Sequence, residues 1–398
     1  MTQRVVWVTP GYPWDGEPIG GIFFQTQARA VARHGTAVTV ACPTPWAPWP
    51  LPLLGARWRR YALAPRIALD GTIRILRPRY PAVLGQPSRA LPDRFMARAM
   101  WQARSEWSTA QLIHGHDVVT GLAAWRLARR AGLPFVLTFH GDDMNTWPEA
   151  HPERLGELRS AVRDATEVFT VSRALSARVE TITGVEATPL PLGVDVSRAS
   201  GTMAPREVER RDLGFPDGKI VAAFVGYLLR SKGVRELVEA ILDLGEPFHL
   251  VLVGDGPEAG FGLDDPRAGG RLDYRGRRLN HEALRVMRAA DVVVLPSHGE
   301  GMPTVLVEAG LVGTPIIASR VGGIPELLAE NRGTLLPDTS PRAIAQALRS
   351  FAANRESATA AAERLRQHVL ESYDADHNAE ELVRRYAGAI RRVARPVA

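Results

Sequence analysis

The segment Asp291-Val-Val-Val-Leu-Pro-Ser-His-Gly-Glu300-Gly301-Met302-Pro303-Thr304-Val-Leu-Val-Glu308-Ala-Gly310 reads as strand, loop and helix in that order. Its β-branched run fits a buried strand, Pro303 fits the first helical turn, where a missing N–H costs nothing, and Gly313 fits the position just past the helix end. A helix N-terminus held at the carboxyl end of a strand offers free amides and a positive dipole end to a phosphate or a sugar oxygen. Glu300 in the loop and Glu308 in the second helical turn then flank one amide cradle, suited to gripping hydroxyls on two parts of one ligand. Read singly, each equally fits a solvated surface glutamate.

Working outward, the same grammar repeats. Short apolar runs alternate with helical patterns at Val5–Val8, Ala37–Ala41, Ile73–Leu76, Leu112–Ile113, Phe135–Phe139 and Val168–Val171. They recur at Ile220–Val225, His249–Val253, Asp291–Leu295, Pro315–Ala318 and Thr334–Leu336. This pattern predicts an α/β protein with two doubly wound parallel sheets, and 398 residues suit two domains. Pro189 to Gly218 carries Pro, Gly, Ser and charge without sustained periodicity, which puts the boundary near residues 195 to 215. The expected domains are residues 1–195 and 196–372. Residues 373–398 follow as a C-terminal helix, with Leu382, Val383, Tyr386 and Ile390 on one face, packing back on the N-terminal domain. Ligands of such sheets collect at the carboxyl ends of strands, so the reaction is expected in a cleft between the two domains.

Three further junctions carry candidate chemistry. Val225-Gly226-Tyr227-Leu-Leu-Arg230-Ser-Lys232-Gly233 runs from a strand into a cationic loop, from which Arg230 and Lys232 can reach a diphosphate. Ile19-Gly20-Gly21-Ile22 opens a helix through Ala32; the glycine pair either admits a ligand close to the backbone or forms a plain turn. Thr138-Phe-His140-Gly-Asp142-Asp143 ends a strand with an imidazole and two carboxylates, making His140 a candidate for the cleft. Other patterns carry less. Gly254-Asp-Gly256-Pro-Glu-Ala259 fits the loose dinucleotide pattern, yet Gly260, Gly262, Pro266, Gly269 and Gly270 oppose the long helix that pattern needs. His114 and His116 have no cysteine partner and are not read as a metal site.

Composition narrows the classes. Hydrophobic residues at 45% and charged residues at 23% oppose a disordered or fibrous chain. One cysteine, Cys42, cannot form an internal disulfide, so a reducing cytoplasm is the expected home. No stretch approaches the ~18 apolar residues of a membrane span. The net charge is +6, and residues 43–113 hold eleven arginines against Asp70, Asp93 and Glu106. All nine tryptophans lie at or before Trp147. Two readings fit the Arg/Trp-rich 46–107 region: a soluble basic face, or peripheral contact with the anionic inner face of a membrane. Nucleic acid is not expected, because no recognition motif accompanies the charge.

Taken together, these residues resemble glycosyltransferase family 4, the retaining nucleotide-sugar transferases of GT-B fold, over nearly the whole chain. Glu300 through Glu308 resembles the family's Glu-seven-residues-Glu element. Also similar are Gly20-Gly21, Thr138 to Gly141, Val171-Ser172, Pro191-Leu-Gly-Val-Asp195, Val253-Gly-Asp-Gly256 and Gly322-Gly323-Ile-Pro-Glu326. The resemblance implies two Rossmann-like domains facing across a cleft, with no metal and no cofactor besides the nucleotide-sugar co-substrate. It implies that Glu308 holds the donor ribose hydroxyls, that Glu300 with the Gly301-Met302-Pro303-Thr304 backbone meets the donor sugar, and that Lys232 binds the diphosphate beside Gly226. Tyr227 stands where the family commonly has arginine, and Arg230 is the candidate replacement. In the first domain Gly20, Gly21 and His140 are the contacts expected from the matching segments, and Asp142 or Asp143 is placed to orient the acceptor hydroxyl. The implied activity moves a sugar to a hydroxyl of a carbohydrate or lipid-linked acceptor in polysaccharide, glycolipid or glycoconjugate biosynthesis. The alternatives are a nucleotide-sugar epimerase of related architecture and a silent scaffold using the Arg/Trp surface.

Overall fold

The computed structural model describes residues 2–81, 92–197 and 203–394. Two compact units divide the chain, one running to Leu192 and resuming at Ala375, the other spanning Gly193–Asp374. The divisions fall a few residues from the expected ones, at the point where the Val194 N–H donates to the Tyr373 carbonyl (2.8 Å) and Val194 bridges Asp374.

The first unit is built on an eight-stranded sheet in the order Thr188–Pro189, Glu167–Thr170, Phe135–Phe139, Leu112–His116, Arg4–Val8, Ala37–Ala41, Ile73–Leu76, Ile67–Asp70. Every pairing is parallel except that of the edge strand Ile67–Asp70 with Ile73–Leu76. The chain starts in the middle, winds outward one way, then returns to build the other side, so a topological switch point lies between Arg4–Val8 and Leu112–His116. The edge strand escaped the sequence reading because its alternation buries neither Ile67 nor Leu69. The C-terminal helix Ala375–Ala394 lies on the helix Ile22–Arg33. It buries Leu382 and Tyr386 in the core shared with Trp7, Phe24 and Val31, with Val383 and Ile390 packed beside them. Arg33 grips Asp376 with two hydrogen bonds of 2.8 and 2.9 Å.

The second unit holds an all-parallel six-stranded sheet, in the order Leu272–Tyr274, Phe248–Val253, Ile220–Val225, Val292–Leu295, Ile316–Ala318, Thr334–Leu335. Its central strands are apolar throughout because helices cover both faces. Asp291, just ahead of its strand, accepts from Arg206 (2.8 Å), Arg210 (3.0 Å), Arg355 (3.1 Å) and the Val221 N–H (2.8 Å), tying the helices Arg206–Asp212 and Arg355–Ser372 to the sheet. Here the switch point falls between Ile220–Val225 and Val292–Leu295, so the loops after these strands are brought together.

Candidate active site

In the second unit both switch-point loops carry predicted site residues. Gly233, in the left-handed region at φ +70°, caps the helix Val234–Leu244, and a Cβ there would overlap the Pro296 carbonyl. Only glycine therefore allows the two loops to touch, and the His298 N–H donates to the Ser231 carbonyl (2.8 Å) across the contact. The approach carries Lys232 Nζ to 2.9 Å from Glu300 Oε1, which also accepts from Ser297 Oγ at 2.7 Å. Glu300 is buried, and the Gly323 N–H closes the loop from behind on the Gly301 carbonyl (2.7 Å). Gly301, Met302 and Pro303 are likewise buried. The helix runs Thr304–Leu311, so Pro303 is its cap and not part of its first turn: its extended ψ of 110° places it outside the helix. The Leu306 N–H already donates to the Pro303 carbonyl (3.0 Å), so it is the Thr304 and Val305 amides that start this helix without a partner inside it.

Glu308 follows on the second turn, half-buried, accepting from Asn280 Nδ2 at 2.7 Å. Burial pushes its carboxyl up to about 7, and the Asn280 amide pulls the other way. Lys232, Glu300 and Ser297 thus form one cluster, while Glu308 has its own partner. Arg230 and Tyr227 are exposed; the turn Arg230–Lys232 points its two cations differently, and only Lys232 joins the cluster. Gly226 ends its strand at the surface.

In the first unit the switch point gathers His116, His140 and the helix behind Gly20-Gly21. Gly21, at φ +79°, caps that helix against the Gly11 carbonyl, and Phe23 and Phe24 of its first turn pack on the His140 ring at centroid separations of 5.4 and 5.1 Å. His116 ends its strand beside Thr138, two residues before His140. The two imidazoles stack at 5.3 Å and share a hydrogen bond of 3.1 Å between His116 Nδ1 and His140 Nε2. Behind them His114 bonds Tyr386 (2.6 Å) and Thr138 (2.7 Å). Burial lowers all three imidazoles, His140 to about 3, so each is neutral near pH 7. His140 Nδ1 and His116 Nε2 are buried without a hydrogen-bond partner among the described residues. Burial raises Asp143 to about 6 even though its Oδ1 accepts from the Gly141 N–H (2.8 Å). The side chain of Asp142, and all of Arg89, lie outside the described residues.

Sequence reasoning gave no site role to Ser297, Asn280 or His116. Ser297 stood in the quoted loop; Asn280 at a helix start and His116 at a strand end were the only local signals for the other two. The basic aromatic region is also less uniform than its composition suggests. Arg77 is buried, donating to the Tyr12 carbonyl (3.1 Å), and Trp107 is buried with its indole on the Met100 carbonyl (3.2 Å).

Two family models match the chain: glycosyltransferase family 4 over residues 20–198 and glycosyl transferases group 1 over residues 205–368. TuaC of Bacillus subtilis, a glycosyltransferase assigned to teichuronic acid biosynthesis, is 33% identical over 391 residues, covering 96% of this chain and 98% of that protein. Sucrose-phosphate synthase from Thermosynechococcus elongatus superposes with a TM-score of 0.81 at 21% identity, covering 97% of this chain and 98% of its own. HepE from Anabaena, in complex with UDP-glucose, gives 0.70 at 18%, covering 98% and 100%.

Proposed function

The chain belongs to glycosyltransferase family 4, and from that premise we propose that it moves a sugar, with retention, from a nucleoside-diphosphate sugar to an acceptor hydroxyl in glycoconjugate biosynthesis. The observation that carries the reading is the Lys232–Glu300–Ser297 cluster at the entrance to a helix whose second turn holds Glu308. A half-buried carboxylate with one oxygen occupied by Asn280 retains acceptor capacity for a ribose diol. The UDP-glucose complex of HepE supports the donor class, and the assignment of TuaC to teichuronic acid biosynthesis supports a glycoconjugate acceptor.

The chemistry follows from charge. When the glycosyl–oxygen bond breaks, its electron pair stays on the diphosphate, and Lys232 with the first-turn amides stabilises that charge as it grows. In this reading Lys232 exchanges Glu300 for phosphate oxygens, which releases the Glu300 carboxylate toward hydroxyls of the transferred sugar. Lys232 and the helix dipole provide the positive charge, so the proposed reaction is metal-independent. His140, with its basicity depressed to about 3, is suited to hydrogen-bonding a sugar hydroxyl through Nδ1 and unsuited to act as the proton acceptor. Retention is consistent with front-face attack by the acceptor hydroxyl on the face from which the diphosphate leaves. No described helix is long and apolar enough to cross a membrane, and the buried Cys42 needs no oxidising compartment; we place the reaction on the cytoplasmic side.

The test is a thermal-shift screen of nucleoside-diphosphate sugars, followed by turnover with and without glycan acceptors. Acceptor-dependent release of nucleoside diphosphate, with the donor's anomeric configuration in the product, is expected. Isomerisation of the donor alone would mark an epimerase and overturn the reading, as would stabilisation by no donor.

A further inference from the structure

Of the ten large apolar side chains exposed among the described residues, seven lie between residues 46 and 69 of the first unit. Trp46 and Trp49 precede a 3-10 turn, Leu51–Leu54, that packs on the helix Ala56–Leu63. Leu53, Leu54 and Leu63 point outward from these two elements, and Ile67 and Leu69 occupy the outward face of the edge strand that follows. Trp49 is 76% exposed, Leu69 73% and Leu63 67%, values that packing against the rest of the unit does not explain. The charge is as one-sided as the apolarity. Residues 43–69 contain four arginines and no acidic residue, and Arg57, Arg59 and Arg66 are exposed. The later part of the basic region is different: Trp107 is buried, and the Arg130 guanidinium covers the Trp101 ring at 4.1 Å.

This plate is bolted to the glycine loop. Arg60 pairs with Glu17. Asp70, which ends the edge strand, accepts from Tyr12 (2.7 Å), Gln25 (3.0 Å) and both arms of Arg29 (2.9 and 2.7 Å). The loop and the start of the helix behind Gly20-Gly21 therefore hang on the same segment that exposes the tryptophans and leucines.

We propose that residues 46–69 form a plate on which the chain rests on an anionic lipid bilayer, holding the Gly20-Gly21 loop at headgroup level where a lipid-borne acceptor reaches it. Leucine and tryptophan side chains enter the boundary between headgroups and acyl chains, and guanidinium groups meet the lipid phosphates. Charge selects this occupant over a second copy of the chain: a two-fold contact through this face would set arginines against arginines with no carboxylate in residues 43–69 to pair them. The acceptor clause rests on the transferase reading; the membrane clause does not.

The test is co-sedimentation of the full chain with vesicles of phosphatidylcholine, with and without phosphatidylglycerol, at low and high salt. Binding roughly 10-fold stronger on the anionic vesicles, falling as salt rises, is expected. The triple variant Trp49→Ser/Leu53→Ser/Leu54→Ser should lose roughly 10-fold in partitioning while keeping its far-ultraviolet spectrum and its transfer to a water-soluble acceptor. Brominated lipid should quench tryptophan emission more in the wild type than in this variant. Equal sedimentation of wild type and variant overturns the plate, and so does a wild-type dimer, lost in the variant, without vesicle binding. Vesicle binding by a protein that takes no nucleotide sugar would sustain the plate and sink only the transferase reading.

Discussion

Glu308→Gln separates the cost of the buried carboxyl from its use. A carboxyl raised by burial from about 4.5 to about 7 subtracts stability wherever the unfolded chain would ionise it and the folded chain resists. No cost exists well below pH 4.5; it grows between 4.5 and 7 and is constant above. Full burial would make this about 3 kcal/mol at pH 8, at ~1.4 kcal/mol per unit. Because Glu308 is only half-buried, solvent screening brings the expected value to about 1–2 kcal/mol. Glutamine keeps an acceptor for the Asn280 amide, so the substitution removes the charge and little else. Melting of the second unit should therefore rise by roughly 3–6 °C at pH 8, with most of the gain gone at pH 5. Donor affinity should move oppositely. Ribose hydroxyls donate to the ionised form, so wild-type binding should strengthen as pH rises from 6 to 8, whereas the variant should bind weakly with a flat profile. A pH-independent melting shift, or an unweakened donor affinity, refutes the reasoning.

Other expected outcomes follow from single contacts. Lys232→Ala should lower turnover by roughly 10²-fold, the scale of losing one key charge stabiliser, whereas the exposed Arg230→Ala should cost far less; equal losses in kcat would return Arg230 to the site. Gly233→Ala forces a Cβ onto the Pro296 carbonyl in a left-handed backbone, so urea denaturation should show a loss of about 1–3 kcal/mol, with turnover falling too as Lys232 leaves Glu300. Leu382→Ala opens a cavity under the C-terminal helix and should cost about 2–5 kcal/mol in the first unit's unfolding while donor binding by the second unit persists.

The amino-acid sequence by itself determined the two parallel sheets, because Ile220–Val225 is apolar at every position and Phe135–Phe139 at all but Thr138, the mark of central strands covered on both faces. It also determined the strand-to-helix junctions, because the residues that stop a strand and open a helix act within one turn of themselves. The Glu300–Glu308 spacing, Gly233 before its helix and the apolar stripe around Leu382 and Tyr386 are local in this sense. Tertiary structure alone decided which junction residues meet. His116 and His140 are 24 positions apart, Asn280 and Glu308 are 28, and Lys232 and Glu300 are 68. Strand order and register bring these pairs within hydrogen-bond distance, and a composition or a spacing does not encode register. The same holds for exposure. Arg77 and Arg59 are alike as letters, yet one is buried among carbonyls and the other stands on an open plate, because burial is a property of what the rest of the chain packs against each position.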